Sequence, residues 1–125
     1  MPTSDYKYFK LSEFDSPDIA GSGIHMSHDF MLMLEKARSI AKIPFKITSG
    51  YRSINHNKKV GGVATSSHTK TPCVACDIYI KDSRSRHIIL HALIEAGFNR
   101  IGIGSNFIHI DIDKDKTENL IWTYN

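Results

Sequence analysis

Residues 107–113 read FIHIDID. Apolar and polar residues alternate strictly, so an extended strand puts Ile108, Ile110 and Ile112 on one face and Phe107, His109, Asp111 and Asp113 on the other. The isoleucines mark the face turned to the core. His109 and Asp111 therefore project together from the opposite side, where they meet water or form a site. Just upstream, residues 101–104 read IGIG, and Ser105-Asn106 forms a turn signal, so the two runs pair as a hairpin.

The same logic extends outward. VACDIYI, residues 74–80, predicts a strand with Val74, Cys76, Ile78 and Ile80 on one face and Ala75, Asp77 and Tyr79 on the other. PFKITSG, residues 44–50, predicts a short strand, and LIWTY, residues 120–124, a last one. From Ser27 the period changes. Phe30, Met31, Leu34, Ala37, Arg38 and Ala41 recur at three and four, with Ser27 as a cap and Asp29 in the first turn, which predicts a core helix ended by Pro44. A short helix is expected around Asn55 to Val60. Another, capped by Ser83 and stopped at Gly97, carries Ile88, Ile89, Ala92 and Glu95. Strands separated by helices, with late hairpin pairing, predict an α+β fold: a mainly antiparallel sheet with helices packed on one face.

A chain of 125 residues suffices for one core, so residues 1–125 are expected to form a single domain with residues 1–25 as an irregular N-terminal arm, Gly21-Ser22-Gly23 its flexible end. The formal charge of +3 is dispersed without a basic run of five, which argues against a nucleic-acid partner. The first 17 residues are polar and mixed in charge, and no apolar run is long enough to span a bilayer. The expectation is synthesis in the cytoplasm without a signal peptide, no membrane insertion, and a monomer.

SSHTKTPCVACDI, residues 66–78, crowds His68, Cys73, Cys76 and Asp77 together. A hydrolytic zinc site needs three N, O or S ligands and an open position for the water whose pKa the metal lowers to about 7. His68, Asp77 and His109 offer such a His, Asp, His set. The Cys73–Cys76 pair alone leaves a zinc ribbon incomplete, and its setting does not suit a redox motif at a helix start.

Taken in order, FKLSEFDSP, ITSGYRSINHNKKVGG, SSHTKTPCVACDI and GFNRIGIGSNFIHIDI resemble the zinc metallopeptidases that cleave bacterial peptidoglycan peptides. That family comprises D-alanyl-D-alanine carboxypeptidases and phage L-alanyl-D-glutamate endolysins on the Hedgehog/DD-peptidase fold. The resemblance spans nearly the whole chain. It implies zinc held by His68, Asp77 and His109, with Ser66 binding substrate. Arg52 it implies as the guanidinium that contacts the scissile peptide or its tetrahedral intermediate. Asn57 and Gly61-Gly62 match positions that shape the loop. By the same resemblance the protein is a hydrolase acting on cell-wall peptides in a phage or prophage lysis context, released to the wall by other factors.

Two departures from the family pattern stand out. His68 and Asp77 are nine residues apart where the pattern has seven, and Thr71-Pro72-Cys73 replaces its glycine, which reads as a loop insertion. Cys76 should face away from Asp77 as a small buried hydrophobe; Cys73 stays open as a neighbour of the metal. The second departure is Asn106, which stands three residues before His109 where many members carry an acidic general base. Asp111 is then the candidate base, or else a partner that orients a ligand. The alternative function is a catalytically weak or inactive zinc-binding module that recognises peptidoglycan.

Overall fold

A computed structural model of the chain describes residues 6–124. Five strands form one sheet: β1 (Ile47–Ser49), β2 (Ala75–Tyr79), β3 (Arg100–Ile103), β4 (Phe107–Asp111) and β5 (Leu120–Thr123), in the order β1-β2-β4-β3-β5. The pairings β1–β2, β2–β4 and β3–β4 are antiparallel, while β3–β5 is parallel. The parallel pair follows from the hairpin. β4 ends beside the start of β3, so the chain over residues 112–119 passes Arg100 and begins β5 on the far side of β3, where Leu120 N–H donates to Asn99 O at 3.0 Å. The α+β architecture read from the alternation is the one observed.

Of the helices α1 (His28–Ala41), α2 (Ile54–Lys59) and α3 (Ser83–Glu95), α1 and α3 pack against each other, and their buried residues join Cys76, Ile78, Ile101, Ile108 and Ile110 of the sheet in one core. Ser27 caps α1 by accepting from Phe30 N–H, as its position predicts. The cap of α3 is Asp82 rather than Ser83: its carboxylate accepts from Ser85 N–H at 2.8 Å, which puts Ser83 inside the first turn. Gly97, at φ +108°, then turns the chain back toward β3.

The segment before α1 is less free than its composition suggests. It forms two 3-10 turns, Leu11–Phe14 and Ser22–His25, and buries Phe9, Leu11 and Phe14 in the core. Gly21-Ser22-Gly23, expected as a flexible end, is fixed. The N–H groups of Gly21 and Gly23 donate to the Asp15 carboxylate at 2.9 and 2.7 Å, and a Cβ on Gly23 would lie 1.8 Å from Leu11 O. Phe14 also reaches the sheet. Its Cα would sit 2.6 Å from a Cβ on Gly50, so only glycine lets this turn lie against the end of β1, where Tyr51 N–H donates to Phe14 O.

Candidate metal centre

Three elements converge on the polar face of the sheet. Asp77 of β2 lies directly opposite His109 of β4, so antiparallel register makes them a cross-strand pair. His68 arrives from the 3-10 turn Ser67–Thr69, whose cap is Ser66: its Oγ accepts from His68 N–H at 3.2 Å. A backbone bond from Arg52 N–H to His68 O, 2.8 Å, ties this turn to the loop after β1.

His68 Nε2, His109 Nδ1 and Asp77 Oδ1 form a triangle with edges of 3.3, 2.9 and 3.3 Å. The far nitrogen of each ring faces an acceptor: His68 Nδ1 lies 2.7 Å from Gly50 O, and His109 Nε2 lies 2.7 Å from Asp111 Oδ2. With protons on those far nitrogens, three lone pairs face one another with no donor between them. Such a convergence of acceptors in a buried place calls for a cation, whether a proton or a metal ion. Tetrahedral zinc with ligands at about 2.0–2.2 Å requires ligand atoms roughly 3.3–3.6 Å apart, so the donor set and its two 3.3 Å edges fit zinc, the 2.9 Å edge being shorter.

The electrostatics carry the same signature. Burial would raise the pKa of Asp77, but a proton shared with the facing nitrogens of His109 and His68, and the charge it puts on those rings, outweigh it and hold the carboxyl well below the usual range. For His109, burial opposes the charged ring, while Asp111 and Asp77 together push its pKa up. The site is negative enough to draw positive charge into a buried position.

Asp111 stands behind the site. It is 1% exposed, Oδ1 accepting from Arg100 Nε at 2.7 Å and from Asp113 N–H at 3.1 Å, with Oδ2 on His109. Of the two roles open to it from sequence, this geometry is that of the orienting partner, since both oxygens are committed before any water is reached. Asp113, next on the same face, is also buried. It accepts from Ser67 Oγ at 2.7 Å and Lys70 Nζ at 2.6 Å, clamping the His68 turn from below.

Arg52 lies at the edge of the triangle. Its Nε donates to Ser49 Oγ at 3.1 Å and Nη1 to Asn57 Oδ1 at 3.2 Å, which aims Nη2 to within 3.5 Å of Asp77 Oδ2. Asn57 is held in turn by a bond from its Nδ2 to Val63 O. A Cβ on Gly62 would lie 2.0 Å from Asn57 Oδ1, so the Gly61-Gly62 pair lets this loop close on it. Ser66 lines the cavity but spends its hydroxyl oxygen on the His68 turn.

Cys73 and Cys76 are fully buried and stand apart from the triangle. The Cys73 thiol lies 3.5 Å from His68 O and from Ala75 O, with burial pushing its pKa up to about 12. The inserted loop is tied to the start of α1: Cys73 N–H donates to His25 O and Ser27 N–H to Cys73 O. Asn106 is exposed at the β3–β4 turn, where its carbonyl accepts from Ile80 N–H.

The triangle forms one wall of a cavity of about 270 Å³. Its lining also holds residues that sequence reasoning did not single out: Trp122 and Tyr124 of the β5 run, with Phe107 and the buried Arg100. The Trp122 ring packs 5.7 Å from His109 and 5.0 Å from the Arg100 guanidinium. Gly102 makes room for this wall, since a Cβ there would meet Tyr124 at 2.6 Å and Trp122 Nε1 at 2.7 Å. The alternation in LIWTY contained the signal, with Trp122 and Tyr124 two apart, but not which face turned to the site.

A His, Asp, His cradle recessed in the polar face of an α+β sheet, beneath an open cavity, is the build of a metallohydrolase. The family model described as Peptidase M15 matches residues 7–111, and the chain belongs to that family. M15 members are zinc-dependent peptidases, and His68, Asp77 and His109 could hold that metal. No curated protein matches the chain.

Proposed function

We propose that the protein is a zinc peptidase that hydrolyses peptide bonds in peptidoglycan stem peptides or cross-links. The observation that carries this reading is the triangle of His68 Nε2, Asp77 Oδ1 and His109 Nδ1, each ring fixed by an acceptor on its far nitrogen. Zinc held there would supply a Lewis acid and lower the pKa of a coordinated water to about 7.

The chain's own residues would do the rest. Gly50 O and Asp111 hold both imidazoles in the tautomer that leaves the ligating nitrogens bare. Arg52, braced by Ser49 and Asn57, presents a fixed guanidinium to a developing oxyanion beside Asp77. Ser66 keeps His68 in register and offers its hydroxyl at the cavity wall to a bound peptide. Trp122 and Tyr124 exclude water from one side. The wall as substrate and a lysis context rest on the resemblance of the motifs.

The test is direct. Purified protein should carry about one zinc per chain, as tetrahedral sites with three protein ligands do. His68→Ala should lose both the metal and the digestion of purified peptidoglycan. Wall digestion by His68→Ala at the parent rate refutes the reading.

One observation favours a second reading, a module that binds wall peptides without cleaving them. The carboxylates lining the cavity are Asp77 and Asp111, both engaged, and Asn106 stands where an acid would serve as base. Digested peptidoglycan separates the two, since a binder creates no new amino termini with or without zinc.

A further inference from the structure

The cleft continues past the metal cradle. A second cavity of about 380 Å³ runs over the polar face of β1 and β2, bounded by Thr48, Val60, Tyr79 and Asn106. It shares Arg52, Asp77 and Phe107 with the first cavity, so the cradle lies part-way along one groove rather than at a blind end.

The charges along the groove are also distinctive. An enzyme that trims one residue from a chain end must hold a free carboxylate just beyond the scissile bond, which takes a cation with charge to spare. Among the described residues, the Lys and Arg side chains on these walls are Arg52, Arg100 and Lys116. Arg100 is bound to Asp111, and Lys116 lies 3.7 Å from Asp113 Oδ2. Arg52 stands beside the cradle, 3.5 Å from Asp77 Oδ2. Beyond Arg52 the described residues of the second arm carry no charge: the Thr48 hydroxyl, 3.4 Å from Asp77 O, the Tyr79 hydroxyl and the Asn106 amide suit the uncharged amides of a continuing chain.

We infer that substrate lies across both arms with the scissile bond inside its chain, so that the protein is an endopeptidase, and that Thr48, Tyr79 and Asn106 hold the residues on the far side. This rests on the zinc peptidase reading above. Hydrolysis adds water across the internal amide, its oxygen to the carbonyl carbon and a proton to the leaving nitrogen. The C–N bond breaks, and two shorter chains result, neither of them the C-terminal residue alone.

The experiment uses the full-length zinc-loaded protein and three synthetic wall peptides: a stem pentapeptide with a free C-terminus, the same peptide amidated there, and a cross-linked dimer. Mass spectrometry reads the fragments. Cleavage of the free and amidated peptides at the same internal bond, with kcat/KM within about threefold, is expected, because the terminal charge contributes nothing. Asn106→Trp fills the second arm and should lower kcat/KM on these peptides about tenfold while zinc content stays the same. Release of only the terminal residue, and only from the free peptide, overturns the inference and leaves the peptidase reading standing. Parent-level cleavage by Asn106→Trp overturns it as well. No cut in any peptide by the zinc-loaded protein overturns the peptidase reading, and this inference with it.

Discussion

Asp111 Oδ2 lies 2.7 Å from His109 Nε2, on the side of the ring turned away from Asp77, and Arg100 binds the other oxygen of the same carboxylate. The imidazole is thus held from behind by a buried ion pair. Replacing Asp111 by alanine should weaken zinc binding about 10- to 100-fold, as loss of such a partner generally does, measured by competition with a chromogenic chelator. Zinc affinity equal to the parent's would count against the orienting role.

Arg100→Leu tests the same pair from its other end. It leaves Asp111 buried without its cation, an arrangement that typically costs about 3–5 kcal/mol. Urea unfolding should show that loss. In the double variant Arg100→Leu, Asp111→Leu much of it should return, because no uncompensated charge remains.

The cysteines should be inert. With the Cys73 thiol raised to about 12 and the Cys76 thiol raised well above its ordinary value by complete burial, neither is a thiolate near neutrality. Iodoacetamide should label them only after denaturation. Cys73→Ala should keep its zinc, and loss of the metal in that variant would bring the thiol back into the ligand set.

Acid should act through Asp113. Burial opposes its charge, but Lys70 and Ser67 lower its pKa from 3.8 to about 2. Because the folded value lies below the unfolded one, the stabilisation is complete above about pH 4 and is lost as pH falls toward 2. Asp113→Asn should therefore be less stable than the parent near pH 6, on the order of 1 kcal/mol after solvent screening at Lys70. The gap should close toward pH 2. A gap independent of pH would exclude this carboxylate as the cause.

Gly102→Ala puts a methyl group where the Trp122 and Tyr124 rings now lie. Both rings can swing outward, so the fold should survive with a loss of about 1 kcal/mol, while Trp122 leaves His109 and its fluorescence shifts toward that of an exposed indole. An unchanged emission spectrum would mean that the wall adapts in place.

Much of this arrangement was legible because strands of period two leave little freedom. FIHIDID and VACDIYI each have one apolar face, so His109 and Asp77 had to share the other, and adjacency of their strands made them partners. Depth was not legible. Asp111 and Asp113 are buried because partners distant in the chain close on them, Arg100 from the start of β3 and Ser67 and Lys70 from the turn that carries His68. The packing of residues 9–23 was hidden for a similar reason, since Gly21 and Gly23 are fixed by the Asp15 carboxylate and a side chain at Gly23 is excluded by the carbonyl of Leu11. The role of Trp122 depended on a parallel pairing that no local pattern announces.

Gly50 joins two matters that look unrelated. Its carbonyl holds His68, and its missing side chain admits Phe14. The first few dozen residues are therefore poor ground for shortening the protein or fusing a partner to it. A deletion through Phe14 would keep every ligand and every wall of the cleft, yet behave in a metal titration like a substitution at the centre itself.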